Sequence, residues 1–152
     1  MAVDIKQAQR RLIEEAFGNG NLDVFDEICD RSYRAHDPLT GDADLRQEKE
    51  NCRMYRTAFP DLKATLLGTY VDGDTAVTHW RMTGTHGAKL MDIEATGAHC
   101  TIEGISLGKF RGGKLVESFT QWDTLALLRQ LGVAPSLQRG AGARPPENRV
   151  QR

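Results

Sequence analysis

Long apolar runs, paired cysteines and an excess of one charge are all missing from this chain, and each absence removes a class of function. No apolar run approaches the roughly 20 residues needed to span a bilayer, and Met1-Ala2-Val3-Asp4-Ile5-Lys6 reads as the start of a helix rather than a signal peptide. Three cysteines, Cys29, Cys52 and Cys100, are odd in number and lie far apart without metal-ligand spacing. They fit buried structural thiols in a reducing cytoplasm, and suggest neither a zinc site nor a catalytic cysteine. A formal net charge of −1, with 27% charged residues, gives no footing for nucleic acid or an anionic membrane. No glycine-rich phosphate loop, cluster of metal ligands or internal repeat is present, so neither a metal nor an organic cofactor is expected. What remains is 152 residues, enough for one domain with its own apolar core.

Organisation follows from periodicity. Ile5, Ala8, Leu12, Ala16 and Phe17 recur at helical spacing after an Asp4 cap, and Gly18-Asn19-Gly20-Asn21 ends that helix. A short helix over 22–28 and a longer one from about 45 to 58 follow, the latter stopping at Phe59-Pro60-Asp61. From there β-branched and aromatic residues predict strands over 62–71, 75–86, 99–110 and 115–122. Asp72-Gly73-Asp74 and Arg111-Gly112-Gly113-Lys114 supply hairpin turns. A last helix covers 125–131. Helices, an antiparallel meander and a closing helix predict an α+β fold, a cone-shaped half-barrel with helices packed on a curved sheet around a pocket. The domain spans 1–132. Residues 133–152, with four arginines and one glutamate, lack periodicity and are expected to form a disordered tail.

The most informative segment is Thr120-Gln121-Trp122-Asp123, running into Leu125-Ala126-Leu127-Leu128-Arg129-Gln130-Leu131-Gly132. Asp123 reads in two ways. It can cap the helix, because aspartate satisfies orphan N–H groups there. It can also serve as an acid–base group, because a carboxylate beside Trp122 and a leucine-rich helix is partly desolvated and therefore more basic. Alternation places Gln121 and Phe119 on the face of Asp123, and Trp122 on the other. In the strand over 75–86, His79 and Arg81 share one face, with Trp80, Met82 and His86 on the other.

The chain resembles the SnoaL-like polyketide cyclases, also called ester cyclases, within the nuclear-transport-factor-like or ketosteroid-isomerase-like superfamily. The resemblance rests on Asn19-Gly20-Asn21-Leu22-Asp23, on Tyr33 with His36-Asp37-Pro38, and on Ala58-Phe59-Pro60-Asp61-Leu62. Gly84-Thr85-His86 with Thr96-Gly97, Gly113-Lys114-Leu115-Val116-Glu117, and Trp122-Asp123 with Leu128-Arg129-Gln130-Leu131-Gly132 complete it, in order, over about residues 10–132. It implies a cofactor-independent enzyme of polyketide tailoring, of the kind found in antibiotic biosynthesis. The reaction is intramolecular aldol ring closure by aspartate acid–base catalysis, or the related cofactor-free ring hydroxylation, which brings in a reductase partner. The family's acid–base aspartate aligns with Asp123. Ser106 stands where cyclases carry a histidine, Gly104 where they carry a glutamine, Gln121 where they carry an acid, and Glu94-Ala95 where prolines are usual.

Catalytic candidates are therefore Asp123, His36 and Gln121. Substrate contacts are expected from His79, Arg81, His86, Tyr33, Tyr55, Phe59, Met82, Met91, Ser106 and Phe119, with 90–95 as a flap over the pocket. Each has a plainer reading as cap, surface imidazole or core. Two other functions stay open: a non-catalytic small-molecule or protein-binding module on the same fold, and an isomerase or epoxide hydrolase. An isomerase would use Tyr33 or Tyr55 as oxyanion donor, whereas Arg81 with Asp123 supplies only part of an epoxide-opening relay. The expected partners are a small aromatic, polyketide-like substrate and a second copy of the chain, with Trp80 and Trp122 forming an outer-face dimer interface.

Overall fold

The computed structural model describes residues 3–134. The tail expected beyond 133 lies outside the described residues from 135 onward. Helix α1 (Ile5–Arg11) is capped by Asp4, whose side chain accepts from the Gln7 N–H, and continues into a π-helical segment (Leu12–Phe17). Helix α2 (Asp23–Ile28), strands β1 (Cys29–Asp37) and β2 (Gly41–Asp44), and helix α3 (Leu45–Ala58) follow. Asp44 and Gln47 form a capping box at the start of α3, each side chain bonding the other residue's backbone N–H. Strands β3 (Lys63–Asp72), β4 (Thr75–Thr85), β5 (His99–Arg111) and β6 (Lys114–Trp122), then helix α4 (Thr124–Gln130), complete the chain.

One six-stranded sheet runs in the order β2-β1-β6-β5-β4-β3, antiparallel except where β1 pairs parallel to β6. The α+β class and the β3-to-β6 meander match the reading from periodicity. At the β5–β6 hairpin, Gly112 and Gly113 take φ of 57° and 79°, the left-handed pair that a two-residue turn requires. Strands β1 and β2 were not expected. Their residues are mostly polar, and only Cys29, Tyr33, Ala35 and Ala43 are buried. So short an apolar signal is hard to distinguish from a loop until β6 offers an edge. As a consequence His36-Asp37 closes a strand instead of sitting in a loop.

Helices cover one face of the sheet. One core cluster joins α1, α2, β1 and the π segment through Leu12, Val24, Phe25, Ile28, Tyr33 and Leu115. A second joins the end of α3 to α4 through Phe59, Leu62, Leu90, Cys100, Leu127 and Leu131. Arg56 ties the helices together from α3, its Nη1 donating to the carbonyls of Phe17 and Gly18 at 2.7 and 2.8 Å. Between the two clusters the concave face stays open.

Candidate active site

Register decides which side chains enter the opening. Across β4, β5 and β6, Thr78 lies opposite Ser106 and Ser106 opposite Thr120, while Gly104 separates Trp80 from Trp122. These residues point inward. A Cβ at Gly104 would lie 2.4 Å from the Trp80 ring and 2.7 Å from Trp122, so the missing side chain makes room for both indoles. The inward face of β1 adds Tyr33 and Asp37, and α3 adds Glu48, Asn51 and Tyr55. Together with Gln9, Phe17, Phe25, Phe59 and Met82 they line one cavity of about 130 Å³.

The polar groups inside are few and connected. Asp37 Oδ1 accepts from the N–H groups of Leu39 and Thr40 at 2.8 and 3.0 Å, and Oδ2 from Trp122 Nε1 at 2.9 Å. Each carboxylate oxygen offers two lone pairs, so Oδ2 keeps one free. Glu48 receives a single hydrogen bond, from Asn51 Nδ2 at 3.3 Å. Burial raises its carboxyl above the ordinary glutamate range, the Asn51 bond pulls it back in part, and the negative charge of Asp37 raises it further. Tyr33 Oη and Ser118 Oγ lie 2.6 Å apart, and Trp80 Nε1 donates to Ser106 Oγ, which meets Thr120 Oγ1 at 3.0 Å. The Tyr55 hydroxyl is buried without a hydrogen-bond partner, its ring set edge-on to Trp122. Burial first, then Glu48 for Tyr33 and Asp37 with Glu48 for Tyr55, push both tyrosines upward, so each remains an O–H donor.

Of the residues expected to bind substrate, Tyr33, Tyr55, Phe59, Met82 and Ser106 do line this cavity. The others lie elsewhere. Asp123 is exposed and caps α4, its Oδ1 accepting from the Ala126 N–H at 2.9 Å. Gln121 and Phe119 point to the outer sheet face, and Trp122 points inward, the reverse of the expected alternation. A sheet covered on one side turns its apolar face to the cover, and along β4 that face is Trp80 and Met82. His79 and Arg81 accordingly lie outside, both bonded to Glu103, which they hold below its ordinary range with Arg81 first. His36 also lies outside, stacked on Phe119 at 4.6 Å between ring centroids and bonded to Asp42 and Glu117. Because Trp80 is 5% exposed and Trp122 contacts Asp37, the tryptophans cannot form an outer dimer patch.

His86 is wholly buried behind Phe59. Its Nδ1 accepts from the Thr96 N–H, an arrangement that closes the segment 87–97 without entering the cavity. Leu90 anchors that segment in the second core cluster, whereas Met91, at φ 50°, is exposed on its turn instead of forming a flap. Burial pushes the thiols of Cys29 and Cys52 up to about 12, which makes both inert. Among the described residues no three His, Cys, Asp or Glu side chains are grouped to hold a metal.

Asp37, Glu48, Asn51 and Gln9 were missed as site residues. A signal for Glu48 existed: Leu45, Glu48, Cys52, Tyr55 and Phe59 recur at helical spacing, which puts a carboxylate on the apolar stripe of α3. For Asp37 no local signal separates a turn residue from a pocket acid.

Helices on a curved sheet, closed around two carboxyls and two phenols, make a fold of the ketosteroid-isomerase-like kind. The chain belongs to the SnoaL-like polyketide cyclase family, whose model matches residues 7–131. A comparison with curated protein sequences finds no match. Among solved structures it is similar to IdmH of Streptomyces antibioticus, a candidate polyketide cyclase, at 26% identity and a TM-score of 0.73, over 84% of this chain and 98% of that one. AclR of Streptomyces galilaeus, a candidate hydroxylase, matches at 18% identity and TM-score 0.75, over 90% and 91% of the two chains. A Catenulispora acidiphila protein of ketosteroid-isomerase-like fold, solved with trimethylamine, matches at 14% and 0.68, over 84% and 93%. The last two likenesses are of fold alone.

Proposed function

We propose that this chain is a polyketide-tailoring enzyme that performs acid–base chemistry on an aromatic substrate inside the cavity. The observation that carries the reading is the pairing of Asp37 and Glu48 with the unpartnered Tyr55 hydroxyl in one largely apolar space. In an aldol ring closure the free lone pair of Asp37 Oδ2 takes a proton from a carbon between two carbonyls. Tyr55 donates its O–H to the enolate oxygen that develops, and fixed donors in a dry site are the strongest form of such help. The enolate carbon then attacks a ketone. Glu48, kept protonated by burial and by Asp37, delivers its proton to the new alkoxide. A proton passing from Asp37 to Glu48 resets the pair. Two carboxyls pushed apart in acidity are the usual basis for dividing base and acid roles. The cavity volume suits the reacting ring, with the rest of a polycyclic substrate toward the mouth.

The family resemblance had placed the acid–base role on Asp123. Its distance from the cavity and its capping bond favour Asp37 and Glu48 instead. Ring hydroxylation would use the same base to ionise a reduced phenol, which then reacts with oxygen; oxygen uptake with a reductase present separates the two. The test of acid–base chemistry is hydrogen–deuterium exchange at the α-carbon of an aromatic β-keto ester, followed by NMR. Asp37→Asn is expected to lower the catalysed exchange about a hundredfold or more. Full exchange in that variant would return the cavity to a binding role. We also propose a homodimer through the outer sheet face, where Ile105 and Phe119 are 50% and 39% exposed. Light scattering at micromolar concentration checks it, and a monomer overturns it.

A further inference from the structure

The cavity wall has an unusual charge inventory. Among the described residues no lysine, arginine or histidine lines it, yet two carboxyls do. The nearby cations are engaged elsewhere: Arg56 on the carbonyls of Phe17 and Gly18, Lys49 on Asp26, and His36 outside on Asp42 and Glu117. Asp37 is oriented by three neutral N–H donors, and Glu48 by one side-chain amide. Among the described residues no counter-ion faces either group. The remaining wall is rich in rings, including Tyr33, Tyr55, Phe59, Trp80 and Trp122.

A carboxylate in an apolar cavity without a counter-ion leaves a negative field there, and aromatic faces add to it through their quadrupoles. An anionic ligand would meet that field with only hydroxyl and amide donors to offset it. A divalent metal ion would find no third carboxylate or imidazole, and rings do not complete its shell. A diffuse organic cation satisfies both the carboxyls and the rings. Given the cavity as the substrate site proposed above, we infer that it is built for a ring-bearing substrate with a positively charged nitrogen, seated between Asp37, Glu48 and the aromatic wall. Glu48 keeps its proton beside the cation, as the proton delivery proposed above requires, so Asp37 supplies the balancing charge.

Phenyltrimethylammonium and tert-butylbenzene test this directly, since they share shape and differ only in charge; benzoate is the anionic control. One ring matches the space, because an engineered apolar cavity of ~150 Å³ admits benzene. Both tryptophans of the chain line the cavity, so their fluorescence reports occupancy. The cation should bind saturably and benzoate should not. Asp37→Asn should weaken the cation about tenfold or more and tert-butylbenzene far less, since loss of the Trp122 Nε1 acceptor touches both probes alike and loss of the charge touches only the cation. Calorimetry in two buffers of different ionisation enthalpy should give the same binding enthalpy, because Glu48 keeps its proton when the cation binds. No saturable binding of the cation, equal binding of benzoate, or equal loss of both neutral and cationic probes in Asp37→Asn overturns the inference. If charge selectivity fails while Asp37→Asn still stops α-proton exchange, the catalytic reading stands alone. If selectivity holds while exchange survives, the catalytic reading falls and the cation site stands.

Discussion

The two faces of the same sheet, built from alternate residues of the same strands, use their polar groups in opposite ways. Outside, Arg81 and His79 close on Glu103, and His36 on Asp42 and Glu117, so these groups each meet an opposite charge within a hydrogen bond. Inside, among the described residues, Asp37 and Glu48 have no cation and the Tyr55 hydroxyl has no partner. Paired charges on a wet surface contribute little and are screened by salt. Unpaired polar groups in an apolar cavity cost stability, and such groups mark places where a ligand completes the set. The difference locates the chemistry on the concave face.

The largest expected effect comes from the inner acids. Glu48→Gln should lower turnover about a hundredfold or more, the usual share of a positioned acid. The same change should stabilise the fold at neutral pH. A carboxyl whose folded value is raised contributes its stability below the ordinary glutamate value and loses it as pH rises through the raised one. Thermal unfolding at pH 4 and pH 8 checks the sign: a variant less stable than wild type at pH 8 would break the contrast between faces.

Filling the slot between the indoles comes next. Gly104→Ala places a methyl where Trp80 and Trp122 already stand, and should cost about 1–3 kcal/mol through overpacking. Denaturant unfolding measures it, and loss of the tert-butylbenzene fluorescence response should accompany it.

On the outer face the effects shrink. His36 is raised above its ordinary value by its bond to Asp42 first and then to Glu117. Its pairing is therefore fully present below the ordinary histidine value and is lost as pH rises through the raised one. His36→Ala should lower the melting temperature more at pH 6 than at pH 9, with turnover little changed. An equal loss at both pH values would show that stacking on Phe119, and not charge, holds the ring.

Smallest is Asp123→Asn. Asparagine caps nearly as well, so stability should move by no more than a few tenths of a kcal/mol, and turnover should hold. A hundredfold loss of turnover in a folded variant would return the proton transfer to Asp123 and dissolve the distinction between the faces.

Much of this was legible from residue order. The Gly112-Gly113 turn, the capped helices and the β3-to-β6 meander each carry local signals, because turn chemistry and periodicity act over a few residues. The pocket wall at Tyr33, Tyr55, Phe59 and Met82 was legible as well. The side of Asp123 was not. A strand's alternation states which residues share a face, and a one-residue choice of which face is covered inverts every assignment. The apolar pair Trp80 and Met82 against the charged His79 and Arg81 held the clue.

The sequence by itself determined the α+β class, the family and the strand periodicity, since these rest on local propensity and on ordered motifs. Only the tertiary structure decided that β1 pairs with β6, that Asp37 on that strand meets Trp122, and that Glu48 on a distant helix shares their cavity. Asp37 and Trp122 stand 85 apart in the chain, and no local rule reaches that far. Packing one face of the sheet under the helices brought the two acids together, and burial then gave Glu48 its altered acidity.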